Sequence, residues 1–467
     1  MLISKIEFFN PFNKRAKEND KMRIKLFFLL ILLGIAGCAS SGTMVGRATP
    51  VPPKAVRTYR FPNGVNLIVK KTGKGAPTSI QVWVPGGSSA DPPGKPGVAH
   101  FVEHMIFSGS LHVPPGKGAL YVEEMGGRLS GHTTRDFNYY TVTVPGAQSV
   151  NGGWKRAEDI LFDMVAHPAF DKAQMEEQRR VILLEIAERA REPETAMADN
   201  LFATAYKVNP YKNRITGSAR DVRLITRKDL VKFYKETYVP SNMTVVVAGG
   251  VDAQDVRERI KKTFGTLAPA KYKWPAHGEE KYQVAKRSSG LLMPVKMAYA
   301  ELGWHICSAK NPDIYALLVL GNILGGGRGS RLYMEARERR GIAYGIDTEM
   351  FPMREPGILA VRAWMYPTNV GQFENAVLSE VDSIKDRGVP QAELESAIRT
   401  IVASDMINGG SADGQAYSLG YWATVYGGTD QGEYIRGIEN VTARQVRRAA
   451  QKYLGDGNYT LSTIMPE

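Results

Sequence analysis

The 467-residue sequence is short of cysteine, of long apolar runs and of periodic low-complexity segments, and each shortage removes a class of protein. Its two cysteines, Cys38 and Cys307, cannot build a disulfide-stapled scaffold. The 26 prolines and 47 glycines follow no period, which argues against a collagen-like chain, and 43% hydrophobic content argues against a disordered one. No stretch supplies the roughly 20 consecutive apolar residues of a comfortable membrane-spanning helix. A formal charge of +13 favours acidic surfaces, nucleic acid or anionic lipid among them. No helix or sheet motif that reads bases accompanies that charge, so no nucleic-acid partner is expected. The length is enough for more than one core.

The N-terminal segment KMRIKLFFLLILLGIAGCAS has the three-part layout of an export signal. Lys21, Arg23 and Lys25 precede an apolar run from Leu26 to Ala36, and small residues surround Cys38. Ile35, Ala36, Gly37 and Cys38 resemble the lipobox of bacterial lipoproteins. That resemblance implies removal of the signal over 1–37 and acylation of Cys38, with several acyl chains holding the protein to a lipid membrane. An uncleaved anchor, or a simple secretory signal with Cys38 incidental, is the alternative. Met22 is an alternative start to Met1. Ala39, rather than aspartate, follows Cys38, which implies a Gram-negative cell envelope and an outer-membrane lipoprotein facing the periplasm. With Cys38 acylated, Cys307 has no intrachain partner. Residues 38–53 read as a flexible tether.

Beyond the tether the chain reads as α+β, in two halves. In the first, 54–266, RTYRFPNGVNLIVK gives a turn at Pro62, Asn63 and Gly64 before a strand, and TSIQVWVPGG and YYTVTVP give further strands. KRAEDILFDMVAHPAF has helical periodicity, and YVPSNMTVVVAGG followed by DAQDVRERIKKTFG reads as strand then helix. Residues 267–289 form a connector rich in lysine, proline and tyrosine, with room for one exposed strand. The second half, 290–467, holds KMAYAELGWHI, IYALLVLGNIL, PGILAVRAWMYP and YTLSTIMP. Its final YLGDGNYTLSTIMP echoes YVPSNMTVVVAGG, a faint sign of internal duplication.

The strongest chemical signal is HFVEH. On a helix, His100 and His104 project from one face and can meet one ion, with Glu103 placed to take a proton from water. The order is inverted relative to H-E-x-x-H but brings the same groups together. Mixed nitrogen and oxygen donors favour Zn2+. A third ligand must come from elsewhere. In EEQRRVILLEIAERAREPE, Glu185 sits in an apolar stripe with Val181, Ile182 and Leu184, where a carboxylate is costly unless paired or metal-bound. Glu188, one turn on, is its competitor. On motif alone, capping or packing of a surface helix is the lesser alternative for the two histidines.

These segments together resemble the M16 metallopeptidases, the pitrilysin or insulinase family that includes mitochondrial processing peptidase. GSSADPPGKPGVAHFVEHMIFSGS, EEMGG and RRVILLEI occur in that family's order, and the resemblance covers nearly all of the chain after the tether. It implies two homologous LuxS/MPP-like α/β-sandwich halves joined by a linker. His100, His104 and Glu185 would be zinc ligands in the first domain, and Glu103 the general base. Glu185 lies 81 positions beyond His104, farther than is typical, and SLHVPPGKG is where the extra residues fit. Gln178 stands where many members have glutamate, and Ser130 and Gly131 in GGRLSGHTTRDFNYY stand where many have asparagine and alanine. Thr133, Asp136 and Tyr140 fit the pattern; His132 is a candidate ligand only if the set were incomplete.

In the second half, GGGRGSRLYMEARERRGIAYGID lacks the lysine of a phosphate loop, so a nucleotide site is not expected. The resemblance places a substrate clamp at Arg337 and Tyr344, the arginine for a peptide carbonyl or carboxylate, the tyrosine for a developing oxyanion. Helix solvation and core packing are the plain alternatives for these two. The expected activity is zinc-dependent endoproteolysis of peptides or unfolded protein segments, added along a strand edge. Both complements in one chain fit a homodimer, with a monomer or a heterodimer with another M16 protein as alternatives. Gln178, Ser130 and Gly131 give some support to a noncatalytic scaffold or peptide-binding chaperone.

Overall fold

A computed structural model of the chain describes residues 56–146, 153–428 and 431–467. The expected signal, tether and Cys38 lie outside these residues. In the first half, β1 (Val56–Arg60) and β2 (Asn66–Lys71) form a hairpin whose turn places Gly64 at φ +102°, a region open to glycine. With β3 (Thr78–Pro85), β4 (Arg128–Thr133), β5 (Phe137–Val144) and β6 (Thr244–Gly249) they make a sheet in the order β1-β2-β6-β3-β5-β4. Only β2 and β6 are parallel. Side chains alternate along each strand. Ile80, Val82 and Val84 of β3 enter the main core with Tyr140 and Val142 of β5, while Trp83 and Phe137 lie in a separate cluster on the opposite face.

The main core is closed by helices of the same half. They are α1 (Val98–Ile106), α2 (Lys117–Glu123), α3 (Gly153–Ala166), α4 (Lys172–Arg189), α6 (Ala219–Leu224), α7 (Arg227–Thr237) and α8 (Ala253–Lys262), whereas α5 (Pro193–Ala205), between α4 and α6 in the chain, packs outside this core. Phe101 and Met105 of α1 pack there with Leu161 of α3, Phe233 of α7 and Ile260 of α8.

The second half repeats the plan. β7 (Arg287–Met293), β8 (Ala298–His305), β9 (Ala343–Phe351), β10 (Ile358–Met365) and β11 (Tyr459–Pro466) form a sheet in the order β7-β11-β8-β10-β9. β7 and β11 are parallel and every other pairing is antiparallel, as for β2-β6-β3-β5-β4. β6 and β11, the two segments that echo each other in sequence, therefore hold the same place in their sheets. The helices are α9 (Asp313–Gly325), α10 (Val370–Arg387), α11 (Gln391–Asn408), α12 (Ala412–Tyr421), α13 (Gln431–Glu439) and α14 (Ala443–Tyr453).

Each half lends a helix to the other. On the outer face of the first sheet, Ala416 and Leu419 of α12 join Trp83 and Val246. A Cβ on Gly420 would come within 2.1 Å of the Trp83 ring, so this close approach requires glycine. On the outer face of the second sheet, Leu201 and Phe202 of α5 pack on Ile358 and Ala360. Both sheets are thereby covered on two sides, and the helix that precedes α5, which is α4, is tied to the junction of the halves.

Candidate metal centre

The geometry of the centre starts at the N-terminus of α1. Asp91 accepts hydrogen bonds from the backbone N–H groups of Gly97 and Ala99, each at 2.7 Å. A carboxylate at a helix N-terminus satisfies donors that have no intrahelical partner and complements the helix dipole. Gly97 lies at φ +95°, and a Cβ there would meet the Thr216 carbonyl oxygen at 2.5 Å. α1 is thus fixed in depth and rotation before its functional residues begin. Val98, Ala99, Phe101, Val102, Met105 and Ile106 are fully buried, and they carry His100 and Glu103 into the interior with them.

His100 and His104, one turn apart, have ring centroids 4.7 Å apart. Glu185 reaches them from α4: its Oε2 lies 3.5 Å from His100 Nε2 and 3.6 Å from His104 Nε2. The three donor atoms lie within 4.8 Å of one another. Ligands about 2.0–2.1 Å from a tetrahedral zinc stand roughly 3.4 Å apart, so the two histidine-to-carboxylate distances fit one ion. No other such group of histidine, cysteine and acid side chains occurs among the described residues. Glu188 is exposed and outside the group. The expected apolar stripe around Glu185 needs correction: Ile182 and Ile186 are buried, but Val181 and Leu184 are 40% and 66% exposed. What holds Glu185 inward is the histidine pair, not an apolar wall.

Gln178, two turns before Glu185 on α4, lies with Oε1 3.1 Å from His104 Nδ1. A proton on Nδ1 makes this a hydrogen bond and leaves Nε2, the nitrogen facing Glu185, free to bind metal. His100 Nδ1 is buried and has no hydrogen-bond partner. Burial, and then the neighbouring His104, push the His100 pKa down to about 3, so that imidazole is neutral. Burial opposes the charge on Glu185, but the polar contacts with His104 and His100 and the positive Arg189 outweigh it and hold the carboxyl below its ordinary value. A neutral imidazole and an ionised carboxylate are the forms a metal requires.

Glu103 is buried, which raises its pKa. Its Oε2 accepts a hydrogen bond from the Thr133 hydroxyl at 2.5 Å. Asn138 donates in turn to Thr133 Oγ1 at 2.6 Å and to the Ala99 carbonyl at 3.3 Å. Thr133 ends β4, an edge strand, so the Glu103 carboxylate is held against the sheet margin. A Cβ on Gly131 would come within 2.6 Å of the Phe107 ring, so glycine in this strand makes room for an aromatic at the end of α1. His132 stacks on Tyr139 at 4.9 Å and does not join the triad.

Arg337 and Tyr344 lie in the second half. The Arg337 guanidinium sits 4.8 Å above the Tyr333 ring and donates to its hydroxyl at 2.5 Å. Tyr344 is 45% exposed beside Tyr366. Among the described residues, no hydrogen bond or ion pair joins either side chain to the triad. Sequence reasoning did not find Asp91 as the helix anchor or Thr133 and Asn138 as the support of Glu103. The acid six residues before Gly97 and the motif threonine were the available signals.

The fold and the triad define a class. The profile described as insulinase, peptidase family M16, matches residues 67–219, and that described as peptidase M16 inactive domain matches residues 224–401. The chain therefore belongs in fold and architecture to the M16 (insulinase) family, with a catalytic-type and an inactive-type α/β domain joined by a linker.

Among its relatives is an uncharacterized zinc protease of Mycobacterium tuberculosis, 27% identical over 416 residues, covering 87% of this chain and 92% of that one. A probable mitochondrial-processing peptidase subunit beta of Arabidopsis thaliana is 26% identical over 421 residues, covering 88% and 78%. A protease from Helicobacter pylori of known structure superposes with a TM-score of 0.82 at 22% identity, over 88% of this chain and 99% of that one. One expectation is overturned. The location in a Gram-negative envelope as an outer-membrane lipoprotein is not supported: relatives matched by sequence include proteins of Mycobacterium, Bacillus and Streptomyces and mitochondrial subunits, not Gram-negative outer-membrane proteins. Among the described residues, no helix is long and apolar enough to cross a membrane.

Proposed function

We propose that the chain is a zinc-dependent endopeptidase acting on peptides or unfolded protein segments, with His100, His104 and Glu185 as metal ligands and Glu103 as general base. The observation that carries this reading is the convergence of the three donor atoms beside a buried carboxylate held by Thr133. When bound, zinc supplies Lewis acidity that activates water and polarises the scissile carbonyl. Glu103 accepts the proton of the attacking water and delivers it to the departing amine nitrogen. Gln178 orients His104, and Thr133 keeps the Glu103 carboxylate from turning away. The edge strand β4 offers unpaired backbone groups for an extended peptide, which favours unfolded substrates.

Arg337 and Tyr344 are proposed to engage substrate from a second copy of the chain, since among the described residues neither side chain is bonded to the triad within one copy. Light scattering of the purified protein tests the homodimer. The test of the central reading is Glu103→Gln: zinc content stays near stoichiometric while hydrolysis of a mixed unfolded peptide library falls by at least about 100-fold. Unchanged turnover would remove Glu103 from the proton-transfer role. A metal-free native protein without peptidase activity would favour a peptide-binding scaffold instead.

A further inference from the structure

A cavity of about 200 Å³ opens beside the triad, where the two halves meet. Ile186 and Arg189 at the end of α4, Asp199 of α5, Arg214 before α6, and Leu291 and Met293 of β7 form its walls. Arg189 links it to the metal centre: its Nη1 is 3.9 Å from Glu185 Oε1. Thr216, another wall residue, is the one that packs against Gly97 at the start of α1. Pockets for drug-sized ligands and cofactors run to about 300–1,000 Å³, so this volume suits a single side chain.

The charge of the walls selects which one. Asp199 is flanked by Arg214 at 3.7 Å and by the buried Arg135 at 3.8 Å, so its carboxylate is already matched by two guanidiniums. Arg189 adds a third positive group at the rim. Most arginines of this chain that meet acids within its folds use their forks: Arg259 on Glu158, Arg331 on Glu393 and Arg362 on Asp347 are all hydrogen-bonded. Arg189 and Arg214 differ. Among the described residues, neither guanidinium donates a side-chain hydrogen bond, and their acid neighbours stand at 3.9 and 3.7 Å. Two forks with unused donors, above an aliphatic floor, match a carboxylate carried on a short methylene stem.

We propose that this cavity is a substrate subsite for an acidic side chain, glutamate before aspartate, so that the enzyme prefers peptides with a carboxylate at one fixed position from the scissile bond. The proposal rests on the peptidase reading above. The test uses full-length protein and sets of peptides that differ only by glutamate, glutamine or lysine at each position near the cleavage site. The glutamate peptide is expected to exceed its glutamine partner by about tenfold in kcat/KM at one position, the size of a charge-assisted hydrogen bond. Arg214→Glu is expected to reverse that order in favour of lysine. Equal use of glutamate and glutamine at every position by the native protein would overturn the subsite.

A second measurement separates the two readings. Fluorescence anisotropy with Glu103→Gln protein reports binding without turnover, and the same glutamate preference is expected there and absent from Glu103→Gln/Arg214→Gln. Binding preference without any hydrolysis by native protein would sink the peptidase reading and keep the pocket. Hydrolysis without preference would do the reverse.

Discussion

The two halves share a sheet order and differ in what they bury. Between β3 and β4, the first half places α1, which takes His100 and Glu103 below 10% exposure. Between β8 and β9, the second half places α9, IYALLVLGNIL in its body, which buries Ile314, Leu317, Leu320 and Leu324. The acid at the start of α9, Asp313, is bound by Lys452 at 2.7 Å and the Tyr453 hydroxyl at 2.8 Å. One helix therefore stabilises its layer by apolar burial, while the other gives up part of that burial to hold groups that need a partner. A duplicated fold can spare one copy for chemistry when the second copy stabilises the shared junction.

Making α1 more like α9 should give the largest effect. His104→Leu is expected to reduce bound zinc to below about a tenth of stoichiometric and to abolish turnover, with the thermal transition little changed. Metal analysis and calorimetry check both parts, and a collapse of the transition would show that the histidine pair serves packing.

The exchanged helices sharpen the comparison. On the first sheet, Asp413 of α12 collects Ser79 Oγ at 3.0 Å, Gln81 Nε2 at 3.0 Å, Thr141 Oγ1 at 2.8 Å and Thr143 Oγ1 at 3.2 Å. Asp413→Ala leaves those donors without their common acceptor and should cost about 1–3 kcal/mol in denaturant unfolding. A change on zinc affinity rather than on the fold is expected from Gln178→Ala. Loss of the outer partner of a metal-binding histidine weakens the metal by about 10–100-fold. Competition with a chelator of known affinity measures it, and an unchanged constant would mean that α1 alone orients His104.

The second sheet offers the contrast to Asp413. Glu301 of β8 is buried, and neither of its carboxylate oxygens has a partner. Burial, and then the charge of Glu349, push its pKa up to about 8 from an ordinary 4.5. The folded state therefore holds this proton more tightly than the unfolded chain does. Its contribution is fully present below about pH 4.5 and is lost as pH rises through 8. Glu301→Gln should flatten this part of the pH dependence and raise stability at pH 8 by on the order of 1 kcal/mol. Denaturation curves between pH 5 and 9 with the native slope retained would contradict it.

Much of the fold was legible because strands with one face in the core alternate, and YYTVTV and TSIQVWV do so plainly. HFVEH was legible because four-residue spacing on a helix is itself a geometric statement. Three things were not. The stripe around Glu185 misled, since Val181 and Leu184 are apolar yet face outward, and periodicity cannot say which face meets a partner. Thr133 and Asn138 are separated from Glu103 by 30 and 35 positions, and only the pairing of β4 with β5 brings them under α1. The exchange of α5 and α12 left no local trace, because a helix records that it has an apolar side and not which sheet receives it.

By itself, then, the sequence determined many of the element types and the helix that carries His100, Glu103 and His104, both of which depend on residues close together in the chain. The tertiary structure alone decided that Glu185 rather than Glu188 meets the histidines, that Gln178 orients one of them, and that two arginines with unused donors line a side-chain-sized cavity beside them. Those depend on distances between segments more than 70 residues apart, which close only when burial of both sheets fixes the helices in place.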